Sequence, residues 1–451
     1  VTARITHASP AAAYAHSPER LWEGYDSVNF GANEAAQGCT DIARQLVSRS
    51  PPIDLLLGGG RKFFYPKTKA DDENPSLNGV RTDNISLIDD LWKGRYIWNK
   101  TELKKIVLGS PEPLLGLFSY DHMRFETDRI RNPKEEPSLS EMTSFAVEHL
   151  LMKTQDKYGF FLFVEGSRID HGHHYTKARY ALDEYVEFDN TIGEVKRILK
   201  DKGVLDDTLL VVTADHSHMF SFGAGSARGS NIFGFATLEN ANVSDIDKMP
   251  VNIIAYGNGP NFPATRNRTY LDSIDFNSTE YRQPAALPLI EETHGGEDVA
   301  VFAHGPWSHL FTGTMEQHTI AHKMAYAACW DDEIKTEIIK GNGIHVLIVC
   351  AFQLQFHVET VQQSSLEILQ AVSFETEAAS IIKEQEKFIQ LLNDIVLANV
   401  FPQRIPADGI LFNLAEHQAT MIKDQTKASW VHKRMLVGSV ATSFEYDIMI
   451  S

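Results

Sequence analysis

Cysteine is scarce in this sequence: Cys39, Cys329 and Cys350 are three residues in a chain of 451. Their wide spacing excludes a Cys-x-x-Cys metal or redox motif, and an odd number excludes complete pairing within the chain. A surplus of basic residues is missing as well. Against 60 Asp and Glu stand 42 Lys and Arg, a net charge of −18, which excludes the basic stripe of a nucleic-acid surface, so no nucleic-acid partner is expected. Long apolar runs are absent too. The greasiest late stretch, His345 to Phe356, carries Gln353 and Gln355 and falls well short of the roughly 20 residues that span a bilayer, so no transmembrane helix is expected, and no anchor signal is read in these residues. The opening residues, VTARITHASP, hold neither a charged n-region nor an apolar h-region, so no signal peptide is expected, and without an initiating Met the chain reads as a fragment or a processed product.

What the sequence does contain is organised around Gly159 to His174, GFFLFVEGSRIDHGHH. Phe160 to Val164 form a short apolar run that suits a buried strand, and Glu165 follows where such a strand leaves its sheet. Asp170 and His174 lie four residues apart, so one helical turn projects them from one side. A carboxylate oxygen and an imidazole nitrogen suit a divalent ion such as zinc. A solvated loop in which acids and histidines cluster is the alternative for this stretch alone. The arrangement repeats downstream: Leu209 to Thr213 read as a second buried strand, followed by Asp215, His216 and His218.

Helical spacing predicts a helix over Thr40 to Val47, another over Pro137 to Leu151 with Ser138 as cap, and a third from Ala181 to Leu199 with Gly203 as its stop. Ile53 to Leu57 reads as a strand ending in the turn Gly58, Gly59, Gly60. About 221–290 is polar and Gly- and Asn-rich, and reads as an inserted surface subdomain that closes at Glu291, Glu292, Thr293 and His294. Alternating strands and helices predict an α/β fold: a doubly wound, mostly parallel sheet with helices on both faces, plus a separate C-terminal α-helical segment. Asn-x-Ser/Thr sequons at Asn84, Asn99, Asn242, Asn267 and Asn277, with none beyond residue 330, favour a secretory origin and a glycoprotein.

Several segments resemble the alkaline phosphatases of animals: HASP with Arg20, LLGGGRKFF, YIWNKTEL, FFLFVEGSRIDHGHH, TADHSHMFSFG and YRQPAALPLIEETHGGEDVAVFAHGP, in order from residue 1 to about 330. The resemblance implies a domain over 1–330 that hydrolyses small phosphate monoesters with two zinc ions and one magnesium ion. It places Asp170, His174 and His294 on one zinc, Asp215 and His216 on the second, and Ser9 and Glu165 at the magnesium. It gives Arg20 the phosphate, which a planar guanidinium fork grips through two oxygens. His7, His171, His173 and His218 are read as groups that orient the ligands. The family also implies an extracellular or cell-surface location and a homodimer.

Two departures accompany the likeness. The family's nucleophilic serine, in an Asp-Ser-Ala-Ala motif, and an aspartate that bridges the second zinc and the magnesium have no counterparts here, since Asp26-Ser27 and Asp272-Ser273 have unmatched neighbourhoods. The vertebrate calcium site is partly kept: Glu73, the Phe118 carbonyl and Glu136 correspond, but Ser119 replaces an expected acid. By the same resemblance, Cys39 and Cys329 match cysteines whose disulfide partners are absent. From about residue 331 the likeness stops. Helical spacing around Leu366 to Val372, Phe388 to Ile395 and Ile410 to Lys423 predicts a helical segment over 331–451, either plainly packed or stacked like armadillo repeats and able to make protein contacts. Its last residues, FEYDIMIS, resemble the first strand of a Toll/interleukin-receptor domain. The alternative to the enzyme reading is an inactive, metal-binding phosphatase-like scaffold or a mis-joined gene product with a helical interaction tail.

Overall fold

The computed structural model describes residues 1–50, 52–131, 136–154, 159–237, 243–262, 274–328 and, as backbone, 345–350. Two compact units divide the chain, Val1–Val358 and Glu359–Ser451. The expected helices beyond residue 350, the Toll-like ending, Cys329 and the sequons at Asn242 and Asn267 lie outside the described residues.

The expected apolar runs become neighbouring parts of one sheet. Strands β4 (Phe161–Glu165), β5 (Thr208–Thr213), β11 (Phe302–His304) and β12 (His345–Cys350) lie in the order β11-β5-β12-β4. β12 is parallel to both neighbours, with Cys350 in register with Glu165 on one side and Thr213 on the other, while β11 is antiparallel to β5. β4 and β5 therefore end at one rim. Glu165 closes β4 there and Asp215 follows two residues after β5, at the carboxyl edge where parallel sheets bind ligands. Helical character expected throughout 331–451 does not hold at 345–350, where a run rich in β-branched residues takes a central strand position. A second parallel sheet joins β1 (Leu55–Gly58), β3 (Leu114–Leu117) and β2 (Arg95–Ile97) in that order.

Helices supply the packing. α1 (Ala8–Ala12) carries Ser9, and α2 (Ile42–Ser48) buries Ile42, Ala43, Leu46 and Val47 as its spacing predicts. α3 (Leu139–Thr154) begins at the expected cap: the Glu141 amide donates to Ser138 Oγ (3.2 Å) and the Ser138 amide to Glu141 Oε2 (3.0 Å), a reciprocal capping box. α5 (Ala178–Asp201) is followed by Gly203 at φ +74°, the left-handed conformation that ends a helix. Met142, Ala146 and Leu150 of α3, Phe188, Val195 and Leu199 of α5, and Leu162 and Val164 of β4 share one apolar core.

The polar region after β5 is more ordered than its composition implies. Strands β7 (Phe220–Phe222), β8 (Ile254–Gly259) and β9 (Ala285–Pro288) form a three-stranded sheet, and β6 (Ser217–His218) pairs antiparallel with β10 (His294–Gly295). That last pairing sets His294 opposite His218 and joins two distant ligand segments.

Candidate metal centre

α4 (Arg168–His174) follows β4 after a two-residue turn and presents Asp170 and His174 from adjacent turns. It lies close against α5 because residue 172 is glycine: a Cβ there would stand 2.6 Å from the Ala181 amide nitrogen. Its other face is anchored by His173, which is buried with Nδ1 2.9 Å from the Tyr256 hydroxyl of β8.

Asp170 Oδ1 is the centre of the arrangement. His218 Nε2 lies 2.8 Å from it, His174 Nε2 3.1 Å and His294 Nε2 3.4 Å. His216 stacks on His294 with ring centroids 3.4 Å apart, and its Nε2 is 3.5 Å from Asp215 Oδ2. Three of these rings are tied down at Nδ1: His174 to the Glu292 carbonyl (2.5 Å), His216 to the Ser217 carbonyl (3.1 Å) and His218 to Glu292 Oε2 (2.7 Å). A carbonyl or carboxylate oxygen only accepts, so Nδ1 carries the proton and a neutral ring turns its Nε2 lone pair inward. Lone pairs that face one another and a carboxylate are relieved by positive charge between them, a shared proton or a metal ion.

The donor set fits zinc. In a tetrahedral site with bonds of about 2.0–2.1 Å, neighbouring ligand atoms are about 3.3 Å apart, close to the spacing around Asp170. Among the described residues, Asp170, His216, His218 and His294 form one group whose ligand atoms lie within 4.8 Å of one another, and His174, His218 and Glu292 form another. His218, expected only to orient ligands, is thus as near to Asp170 as His174 is.

Protonation shows the same need for positive charge. Burial disfavours charge on Asp170, but hydrogen bonds from His174, His218 and His294 overcome it and hold its carboxyl far below the usual range. Burial likewise opposes charge on His218, yet Asp170 and Glu292 on its two sides raise it to about 9. Asp215 is pushed up to about 6, first by burial and then by the like charge of Asp170. In the free chain a proton on His218 takes the place of a cation.

The remaining predicted residues gather near this cluster on different partners. Ser9 Oγ donates to Asp215 Oδ2 (3.4 Å), whereas Glu165 is buried and accepts from Thr2 Oγ1 at 2.5 Å. Burial raises Glu165 to about 8, opposed by the Thr2 hydrogen bond and reinforced by Asp215. Arg20 Nη2 lies 3.1 Å from His7 Nε2. His7, His122 and His171 form a third histidine group. It differs in kind from the first: Arg20 donates to His7, and Arg168 Nη1 donates to His171 Nδ1 at 2.9 Å. Guanidinium has no lone pair to accept with, so a ring nitrogen in each is already used and the surroundings are cationic.

Of the acids expected at calcium, Glu136 is paired with Arg124 at 2.6 Å and Glu73 lies 3.3 Å from Arg61, and Glu136 also feels the like charge of Glu73.

Residues 1–330 match the family described as Alkaline phosphatase. The chain belongs to the alkaline phosphatase family. It is 45% identical over 340 residues to the tissue-nonspecific alkaline phosphatases of Rattus norvegicus and Homo sapiens, covering 73% of this chain and 62% of each relative. To an alkaline phosphatase of Gadus morhua it is 44% identical over 339 residues, covering 73% of this chain and 68% of that one. The chain therefore spans about three-fifths of the length of the mammalian alkaline phosphatases it matches, at 62%. Among solved structures, the alkaline phosphatase from the Antarctic bacterium TAB5 aligns at 22% identity over 73% of this chain and 71% of that chain, with a TM-score of 0.45.

Three residues of this cluster escaped sequence reasoning. Glu292 carried a legible signal, two positions before His294 in the EETH segment. Thr2 and His122 had none, because only the fold brings them to Glu165 and to His171, whose ring centroid is 4.4 Å from that of His122. One sequon is also corrected: Asn99 is only 7% exposed and its side chain accepts from the Glu102 amide to cap a helix, whereas Asn84 and Asn277 are exposed. No helix among the described residues is long and apolar enough to cross a membrane.

Proposed function

We propose that this chain carries the metal and phosphate site of a phosphomonoester hydrolase. Asp170, His174 and His294 would hold one zinc ion, Asp215 and His216 a second, and Ser9 and Glu165 a magnesium ion. The observation that carries the reading is the ring of three Nε2 atoms around Asp170 Oδ1 at 2.8 to 3.4 Å. When bound, the ions supply Lewis-acid polarisation of phosphoryl oxygens and offset the charge that develops during transfer.

The chain's own residues bind and orient. Arg20 presents a planar donor fork to the phosphoryl group, steadied by His7, which accepts one of its N–H groups. The Asp-Ser-Ala-Ala serine that takes the phosphoryl group in the family does not occur in residues 1–451. Ligand placement and phosphate binding are therefore the part of the reaction these residues support. A small phosphate monoester as substrate, a homodimer and an extracellular or cell-surface setting belong to the same proposal. So do the division into 1–330 and 331–451 and the glycan acceptors Asn84 and Asn277.

The test is zinc-dependent stability of the full chain. A ligand at 100 times its dissociation constant adds about 2.7 kcal/mol to unfolding. Denaturant titration should show that gain with zinc and its loss in Asp170→Asn. Equal stability of the wild-type chain with zinc and with a chelator would refute the metal reading.

A further inference from the structure

We propose that Glu292 sets the histidine tautomers of this centre, its backbone carbonyl orienting His174 and its carboxylate orienting His218. The inference deepens the metal-centre reading and rests on it. His174 ends α4 and His218 ends β6, and no sequence proximity couples them. Glu292 touches both. Its amide donates to the His174 carbonyl (2.9 Å) while its own carbonyl accepts from His174 Nδ1 (2.5 Å), so His174 is held at backbone and ring by one residue. The side chain meets His218: Oε2 accepts from His218 Nδ1 (2.7 Å) and Oε1 from the Met219 amide (2.6 Å), while Oε2 stands 3.7 Å from His174 Nδ1, beyond hydrogen-bond reach. Glu292 is 1% exposed, so water does not compete for either oxygen.

Two consequences follow from this geometry. With both Nδ1 atoms protonated, both Nε2 atoms point at Asp170, and a metal-binding imidazole needs such an acceptor on its far nitrogen to keep that orientation. The two holds also differ chemically. The grip on His174 is a backbone carbonyl that no substitution at 292 removes, whereas the grip on His218 is a carboxylate that one substitution alters.

The experiment uses full-length chain labelled with ¹⁵N-histidine, free of metal, together with zinc titration against a chromogenic chelator. In the wild type at alkaline pH, where both rings are neutral, His174 and His218 should show the signature of a proton on Nδ1. In Glu292→Gln one amide oxygen must serve two donors, the His218 ring and the Met219 amide. The His218 ring, which loses a direct hydrogen-bond partner, should then shift more than the His174 ring, which keeps its carbonyl, and zinc affinity should fall roughly 10- to 100-fold. Glu292→Asp keeps two acceptor oxygens on a shorter arm and should recover part of the affinity, and it provides the same comparison if Glu292→Gln does not fold. A His174 shift as large as that of His218, or unchanged zinc affinity with an unchanged His218 signal, would overturn the proposal. Absence of zinc binding in the wild type would refute the functional reading, while the metal-free tautomer signals still decide the role of Glu292.

Discussion

Two buried charge clusters in this protein are built from similar acids and differ in their partners. Around Arg61 and Arg81 every charge has its opposite inside the chain. Arg61 Nε meets Asp71 at 2.6 Å with neither side chain more than 1% exposed, and Arg81 pairs with Asp41 at 3.0 Å and Asp83 at 2.5 Å. Around Asp170 the partners are imidazoles whose outer nitrogens are already committed to Glu292 and Ser217. A guanidinium brings permanent charge and makes the first cluster complete. An imidazole turned to offer its lone pair leaves the second cluster in need of a cation. Completeness marks a structural network, and its lack is what supports the proposed metal site.

The sharpest way to break this comparison is to remove a guanidinium. Arg61→Met leaves the Asp71 carboxylate buried without its partner, and such losses cost about 3–5 kcal/mol. Denaturant unfolding should show that drop while zinc affinity per folded molecule stays at the wild-type level. A parallel fall in zinc affinity would mean that the two clusters are not separate.

Gly172→Ala tests the second cluster through its scaffold rather than its ligands. The added methyl collides with the Ala181 backbone and forces α4 off α5, an overpacking cost of about 1–3 kcal/mol. Because Asp170 and His174 ride on α4, weaker zinc binding should accompany the loss. Stability lost with zinc binding intact would place the ligands beyond the reach of that packing.

A milder contrast lies in pH. Glu184 is raised to about 8, first by burial and against the pull of the Glu126 amide and Arg168, with Glu126 and Glu187 adding like charge. A carboxyl whose folded pKa exceeds its unfolded one binds more protons when folded. Its contribution is whole below about pH 4.3 and is lost as pH rises to about 8, with a limiting slope of about 1.4 kcal/mol per pH unit. Asp71 has the opposite sign: burial opposes its charge, Arg61 outweighs burial, and its carboxyl lies below the usual range. Its contribution is present above about pH 3.9 and disappears as acid protonates it. Stability measured from pH 5 to 8 should flatten in Glu184→Gln, and an unchanged slope would remove Glu184 as its source.

Much of this was legible from local pattern. The runs at 160–164 and 209–213, the Asp170/His174 spacing, the Ser138 cap and the Gly203 stop all follow from period and capping chemistry that one segment carries by itself. The polar region after β5 was not. Its strands β8 and β9 are short and lack clean alternation, and they form because Ile254, Tyr256 and Ala285 pack with Ala178 of α5. The strand at 345–350 lay within a stretch whose surroundings read as helical, and strand pairing with β4 and β5 overrode that context.

By itself the sequence determined the family, the strand and helix periods, and which acids and histidines are available at the ends of strands. Ligand type and local spacing are properties of a segment, and a segment displays them unfolded. Only tertiary structure decided which nitrogen of each imidazole faces inward, that His218 stands beside Asp170, and that Arg124 lies against Glu136. Those outcomes depend on hydrogen-bond partners many residues away along the chain, and the chain brings them together only when it folds.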